Sequence, residues 1–284
     1  MIPVYKCVNV NAVQIGVLQR EPFVSGSDPA GTLVLLHGFT GSARNWESLC
    51  ADLALRDWCI IALDMLGHGK SSAPEDAERY GMEHCQDDIL AVLRELGVQA
   101  GEAVLLGYSM GGRITLYTAF SRFFRALILE SASPGIADAR EREQRRSSDD
   151  ALAASIEQGG IAPFVERWEK LPLFASQGNL PIAQQEALHH QRLHNRAVGL
   201  ANSLRGVGTG AQPALHAQLP MLDLPVLLIA GELDAKFCSI ACQMARDLPH
   251  ATLHIVAEAG HTVHLEQPAM FAQLVTQFCS QLLC

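Results

Sequence analysis

The sequence predicts an α/β fold, a mostly parallel sheet with helices on both faces and a helical insertion. Three observations carry this. Short apolar runs of strand length alternate with helical stretches along the first 130 residues. From about Pro134 to Gln212 the alternation stops and the pattern is helical, polar and rich in arginine. After Pro225 the alternation resumes to the end of the chain. Strands that alternate with helices pack as a parallel sheet covered on both faces. The expected organisation is a core of residues 1–133 and 213–284, with residues 134–212 as a cap between two strands.

The elements follow in order. Val4–Val10 and Ala12–Gln19 alternate in polarity, as an antiparallel hairpin at a sheet edge does. Thr32–Leu36 is continuously apolar, as a strand buried on both faces requires. A loop, His37-Gly38-Phe39-Thr40-Gly41, leads to a helix near Ser42. Trp58–Leu63 is the next strand and ends at Asp64. Tyr80–Leu96 has apolar residues at helical spacing. Ala103–Leu106 is a buried strand, followed by Gly107-Tyr108-Ser109-Met110-Gly111 and a helix. Ala126–Leu129 closes this half. Beyond the insertion, Val226–Ala230 and Thr252–Val256 read as strands, Cys238–Asp247 and His264–Leu283 as helices.

Composition excludes several functions. The 284 residues carry a net charge of −9 with no run of five like charges, so no basic face for nucleic acid is expected. No apolar run is long enough to span a membrane. The first residues lack the basic and apolar regions of a secretory signal, so a cytoplasmic protein is expected. The eight cysteines (7, 50, 59, 85, 238, 242, 279 and 284) show neither CxxC nor zinc spacing. Reduced, mostly buried thiols are expected, with no metal and no cofactor. Cys238 and Cys242 could share a helix face. Oligomeric state is not readable.

Chemistry gathers around Ser109. Gly107-Tyr108-Ser109-Met110-Gly111 is a G-x-S-x-G motif between a strand and a helix, where the sharp turn lifts the serine above the sheet edge. A serine hydroxyl needs a histidine to take its proton, and that histidine needs a carboxylate to fix its tautomer. Asp234 follows the strand Val226–Ala230, and His261 follows Thr252–Val256. All three residues thus fall at the C-terminal edge of the sheet, where ligands bind in open α/β sheets. Glu232 and His264 are the rivals, read as a solvated loop residue and the first residue of the last helix. The backbone amides of Phe39 and Met110 are placed to form an oxyanion hole. His37 is read as structural. The Gly-rich stretch Asp64–Ser71 lacks phosphate-loop spacing and is read as a shaped turn. His68 within it has no nameable partner.

Together these residues resemble the α/β-hydrolase superfamily over nearly the whole chain. One branch is more similar, the 2-succinyl-6-hydroxy-2,4-cyclohexadiene-1-carboxylate synthase (MenH) family of menaquinone biosynthesis. The supporting strings are Gly107–Arg113, the cap stretch Arg140–Arg146, Trp168 with Leu171–Ser176, Ser203–Pro213, Gly231–Phe237 and Ala259–Glu266; the triad strings belong to the superfamily at large, and the cap strings and Arg113 narrow the choice. The resemblance implies a carbon–oxygen lyase that eliminates pyruvate from a succinyl-bearing cyclohexene carboxylate, with Ser109, His261 and Asp234 initiating proton abstraction. It implies Tyr108, Arg113, Arg145, Trp168, Phe174 and Arg192 as substrate-binding residues, with Arg145 or Arg146 as alternatives of register. An anionic substrate needs local positive charge in this acidic protein. The segment 134–205 supplies it, with eight arginines in a stretch balanced at nine basic and nine acidic residues. A serine hydrolase, an esterase or carbon–carbon hydrolase acting on a small carboxylate, fits the triad equally. A non-catalytic binding protein on this fold would be expected to lack a triad member.

Overall fold

The computed structural model describes residues 3–22 and 29–283. Cys284 lies outside them. Eight strands form one sheet: β1 (Val4–Val10), β2 (Val13–Arg20), β3 (Gly31–Leu36), β4 (Trp58–Leu63), β5 (Ala103–Tyr108), β6 (Ala126–Glu130), β7 (Val226–Gly231) and β8 (Ala251–Val256). Their order is β1-β2-β4-β3-β5-β6-β7-β8. From β4 onward the pairs are parallel, while β1–β2 and β2–β4 are antiparallel. Residues Thr32–Leu36, all of β4 and all of β7 are buried, so both faces of each are covered. Two apolar clusters, one on each face, account for this. Every expected strand is present, within a residue or two at its ends.

The helices of the core are α1 (Glu47–Asp52), α2 (Met82–Glu95), α3 (Met110–Thr118), α8 (Ala235–Asp247), α9 (Val263–Glu266) and α10 (Pro268–Gln281). The helix expected near Ser42 opens as a 3₁₀ turn at Ala43–Trp46 before α1, and α8 starts three residues earlier than expected. The stretch from Tyr80 begins with a single 3₁₀ turn at Ala77–Tyr80, and α2 starts only after Gly81. The closing helix is two helices. Pro268 disfavours helical backbone in the residue before it, and Gln267 accordingly sits at φ −134° and ψ 60°.

Between β6 and β7 the chain forms α4 (Ala139–Gly159), α5 (Ile161–Trp168), α6 (Ile182–Leu193) and α7 (Ala197–Val207), with a 3₁₀ segment at Pro172–Asn179. Asp138 starts α4 by accepting from the amides of Arg140 and Glu141. These helices have a small core of their own around Ile156, Phe164, Leu200 and Leu204. Phe39, from the loop after β3, packs against it and joins it to the sheet. Among the described residues no helix is long and apolar enough to cross a membrane.

Candidate active site

The nucleophile position is forced by close packing. Ser109 follows β5 with φ 51° and ψ −106°, a sparsely populated backbone conformation for a residue with a side chain. The turn tolerates no bulk on either side. A Cβ on Gly107 would lie 2.3 Å from the Gly111 carbonyl oxygen, and one on Gly111 would lie 2.3 Å from that of Leu36. Strand and helix therefore touch backbone to backbone, and the Ser109 hydroxyl projects into the space above the sheet edge.

Ser109 Oγ lies 3.0 Å from His261 Nε2, and His261 Nδ1 lies 2.7 Å from Asp234 Oδ2. Both partners are buried. Asp234 also begins α8, its Oδ1 accepting from the Phe237 amide. The turn that carries His261 is held at several points. Ser131 Oγ donates to the His261 carbonyl, and Glu266 accepts from the amides of Gly260 and Thr262 on either side. The amides of Phe39 and Met110 take no partner among the described residues. They are free to donate to a developing oxyanion.

A cavity of about 430 Å³ opens at Ser109. Phe39, Trp168, Leu173, Phe174, Val207 and Phe237 give it apolar walls. The Trp168 indole N–H is buried and has no hydrogen-bond partner among the described residues. Arg113, Arg145 and Lys236 also line the cavity, and among the described residues no Asp or Glu does. Arg113 donates to the Val207 carbonyl at 2.7 Å and to Gln212 Oε1 at 3.2 Å, both uncharged. Burial, reinforced by the nearby Arg145 charge, lowers its pKa to about 10, so it stays a cation at neutral pH. Arg145 is paired with Asp149 at 2.8 Å, and its side chain remains 44% exposed.

The structure thus brings Ser109, His261, Phe39, Met110, Tyr108, Arg113, Arg145, Trp168 and Phe174 together around one cavity, with Asp234 behind His261. It turns Arg146 onto a different groove, lined by cap residues such as Asp150 and Arg205 and by core residues such as Glu78, His84 and Tyr117. Arg192 departs from the expected place. It lines a second cavity of about 40 Å³, on the other side of Tyr108, and not the one at Ser109. There it is held by Glu169 and Gln177 at 2.9 and 2.8 Å. Lys236 was not singled out from sequence, although it lies two residues after Asp234.

The rival residues have other work. Glu232 is exposed and accepts from the Glu258 amide. His264 is buried and bonded at 2.8 Å to Glu130, a fully buried carboxylate at the end of β6. His37 Nε2 accepts from the Met65 amide, and its Nδ1 meets the Gly38 carbonyl. His68 packs on His37 and Phe39. Burial, and secondarily the neighbouring His68, lowers the His37 pKa to about 3. Burial likewise takes His68 to about 4. Among the described residues no group of three His, Cys, Asp or Glu side chains is arranged to hold a metal ion.

A strained serine elbow, a Ser–His–Asp array and this sheet order define an α/β-hydrolase-fold protein with a helical cap. Residues 31–268 match the family model described as alpha/beta hydrolase fold. The chain is 34% identical over 251 residues to the 2-succinyl-6-hydroxy-2,4-cyclohexadiene-1-carboxylate synthase of Serratia proteamaculans (strain 568), covering 87% of this chain and 92% of that protein. A Bacillus subtilis (strain 168) protein given the same name provisionally is 41% identical over 259 residues, with 90% and 93% covered. The solved structure of MenH from S. aureus superposes with a TM-score of 0.87 at 34% identity, covering 93% of this chain and 98% of that one. The chain belongs to the 2-succinyl-6-hydroxy-2,4-cyclohexadiene-1-carboxylate synthase (MenH) family. A malate-bound thermophilic esterase from Thermogutta terrifontis, with a TM-score of 0.81 at 22% identity over 99% of each chain, shares the fold.

Proposed function

We propose that this protein is a cytoplasmic lyase of menaquinone biosynthesis. It eliminates pyruvate from a succinyl-bearing cyclohexene carboxylate to give 2-succinyl-6-hydroxy-2,4-cyclohexadiene-1-carboxylate. The observation that carries this reading is the cavity at Ser109, lined by three cations and no carboxylate. Such a pocket suits a small substrate bearing several carboxylates. Arg113 and Arg145 are the anchors in this reading. Trp168 has an indole N–H to offer, and Tyr108 and Phe174 shape the walls.

The chemistry needs a base and an electron sink. His261, with its tautomer fixed by Asp234, takes the Ser109 proton as the Ser109 oxygen removes a proton from the substrate ring. The electrons of that C–H bond form the new C=C bond and expel the enolpyruvyl oxygen. Charge that builds on the succinyl carbonyl oxygen is met by the amides of Phe39 and Met110. The proton held by His261 passes to the departing enolate, which becomes pyruvate. No covalent acyl-enzyme forms.

A pyruvate-release assay tests this, with the unstable precursor generated in situ and its spontaneous decay subtracted. Rapid release by the wild type and release at the background rate by a folded Ser109→Ala variant are expected. Release no faster than background by the wild type would overturn the lyase reading. The triad geometry serves a serine hydrolase equally well, so accumulation of an acylated Ser109 with small esters would then identify the reaction instead.

A further inference from the structure

We propose that Arg192, Gln177 and Thr262 form a latch through which the cap positions the catalytic histidine.

The latch is a chain of hydrogen bonds whose direction is set at one end. The Arg192 guanidinium can only donate. It donates to Glu169 Oε1 and, at 2.8 Å, to Gln177 Oε1. That fixes the amide of Gln177, whose Nε2 must then donate, and it does so to Thr262 Oγ1 at 2.8 Å. Thr262 is the residue next to His261. The Thr262 hydroxyl also shares a hydrogen bond with Tyr108 Oη at 2.9 Å, in which either oxygen can donate. Arg192, Gln177 and Thr262 are each at least nine-tenths buried, so water competes little for these bonds and they are worth more than exposed ones.

The same cap segment touches the histidine turn at two further points. The Phe174 ring lies edge-on to the His261 imidazole, with centroids 6.1 Å apart. A Cβ on Gly260 would lie 2.1 Å from Ser176 Oγ, so the cap rests directly on the backbone before His261. Arg192 also lies over Phe174, 5.6 Å from its centroid. The residues 172–179 thus press on Gly260, His261 and Thr262 together, and Arg192 holds them there from α6. Releasing the latch lets the imidazole drift from Ser109, where displacements of about 1 Å cost up to about 100-fold in rate.

The proposal rests on the lyase reading only for its substrate assay. Reaction of Ser109 with a fluorophosphonate also depends on His261 and needs no assumption about substrate. The test set is Gln177→Leu, Thr262→Val, Thr262→Ser, Arg192→Met and the Arg192→Met/Gln177→Leu double variant, each checked for native circular dichroism. Gln177→Leu, Thr262→Val and Arg192→Met are expected to lower kcat by about 10- to 100-fold with KM within threefold. Fluorophosphonate labelling should slow in parallel. The double variant should be no slower than the slower single, because both cut one chain. Thr262→Ser keeps the hydroxyl and should retain most of the wild-type rate. If Arg192→Met fails to fold, the Thr262 pair decides the matter alone. Two results would overturn the latch. One is a KM raised tenfold or more in Arg192→Met with normal labelling, which makes Arg192 a substrate ligand. The other is equal activity of Thr262→Val and Thr262→Ser. Loss of pyruvate release in the wild type with latch-dependent labelling intact would sink the lyase reading and leave the latch standing.

Discussion

Arg113→Met separates stability from function in a way that few substitutions do. The guanidinium is held deep beside Ser109, and only carbonyl oxygens partner it. A pKa lowered from 12.5 to about 10 means that the empty protein carries a penalty for this cation. Converted, that penalty is roughly 3 kcal/mol. The sign follows from proton binding. Between about pH 10 and 12.5 the unfolded chain holds the proton and the folded one does not, so the penalty is fully present at every lower pH. Methionine keeps the length of the side chain and removes the charge. It also removes the donors to Val207 and Gln212, at about 1 kcal/mol each. The two effects leave the variant as stable as the wild type or about 1 kcal/mol more stable. Function should move the other way. A substrate carboxylate loses one or two charge-assisted bonds of about 1.5–3 kcal/mol each, so kcat/KM should fall at least about tenfold. Urea unfolding of the ligand-free protein, together with pyruvate release over a range of substrate concentrations, measures both. Destabilisation by more than about 2 kcal/mol with kinetics near wild type would refute the reasoning and make Arg113 a structural residue.

Lys236→Gln should raise KM by about fivefold and leave kcat nearly unchanged, because an exposed lysine at the cavity mouth contributes about 1 kcal/mol to binding an anion; a KM unchanged at low salt would remove Lys236 from the site. Gly111→Ala should cost at least about 3 kcal/mol, because its methyl must displace the Leu36 backbone, and a melting temperature within two or three degrees of wild type would contradict that packing. Stability should fall on acidification from pH 8 to pH 5. His37 and His68 bind protons only when unfolded over most of that range, and each costs up to about 1.4 kcal/mol per pH unit below 6.5. Asp64, which burial raises to about 6, acts in the opposite sense as pH falls from about 6 toward 3.8 and offsets part of the loss. The net expectation is about 2–3 kcal/mol lost by pH 5, and a urea midpoint that does not change between pH 8 and pH 5 would argue against it.

The sequence by itself determined the sheet and the strand ends that carry Ser109, Asp234 and His261. Strands buried on both faces must be continuously apolar, so β3, β4 and β7 announce themselves. Ser109 follows β5 directly, Asp234 and His261 come a few residues after the ends of β7 and β8, and local strings of a few residues shape the turns that carry them. Phe39 and Met110 are legible for the same reason, since they belong to those turns. The break before Pro268 was legible in principle, because the constraint on Gln267 is local, but the apolar spacing beyond it reads as one helix.

What only the tertiary structure decided are the partnerships made across distance. Arg145 and Arg146 are adjacent on α4 and point about 100° apart. Which of them faces Ser109 depends on how α4 packs, with Gly210 pressed against the Arg146 backbone. Arg192 meets Glu169, 23 residues away, only because α6 folds back along α5. Nothing in either local sequence marks that ion pair, and it turns an arginine expected in the substrate cavity into one held behind Tyr108. Glu130 and His264 are 134 residues apart and meet where β6 ends beneath α9. A strand or a turn is encoded by its own neighbours along the chain. The direction in which a long charged side chain points is settled by whichever acceptors or opposite charges the fold brings within reach.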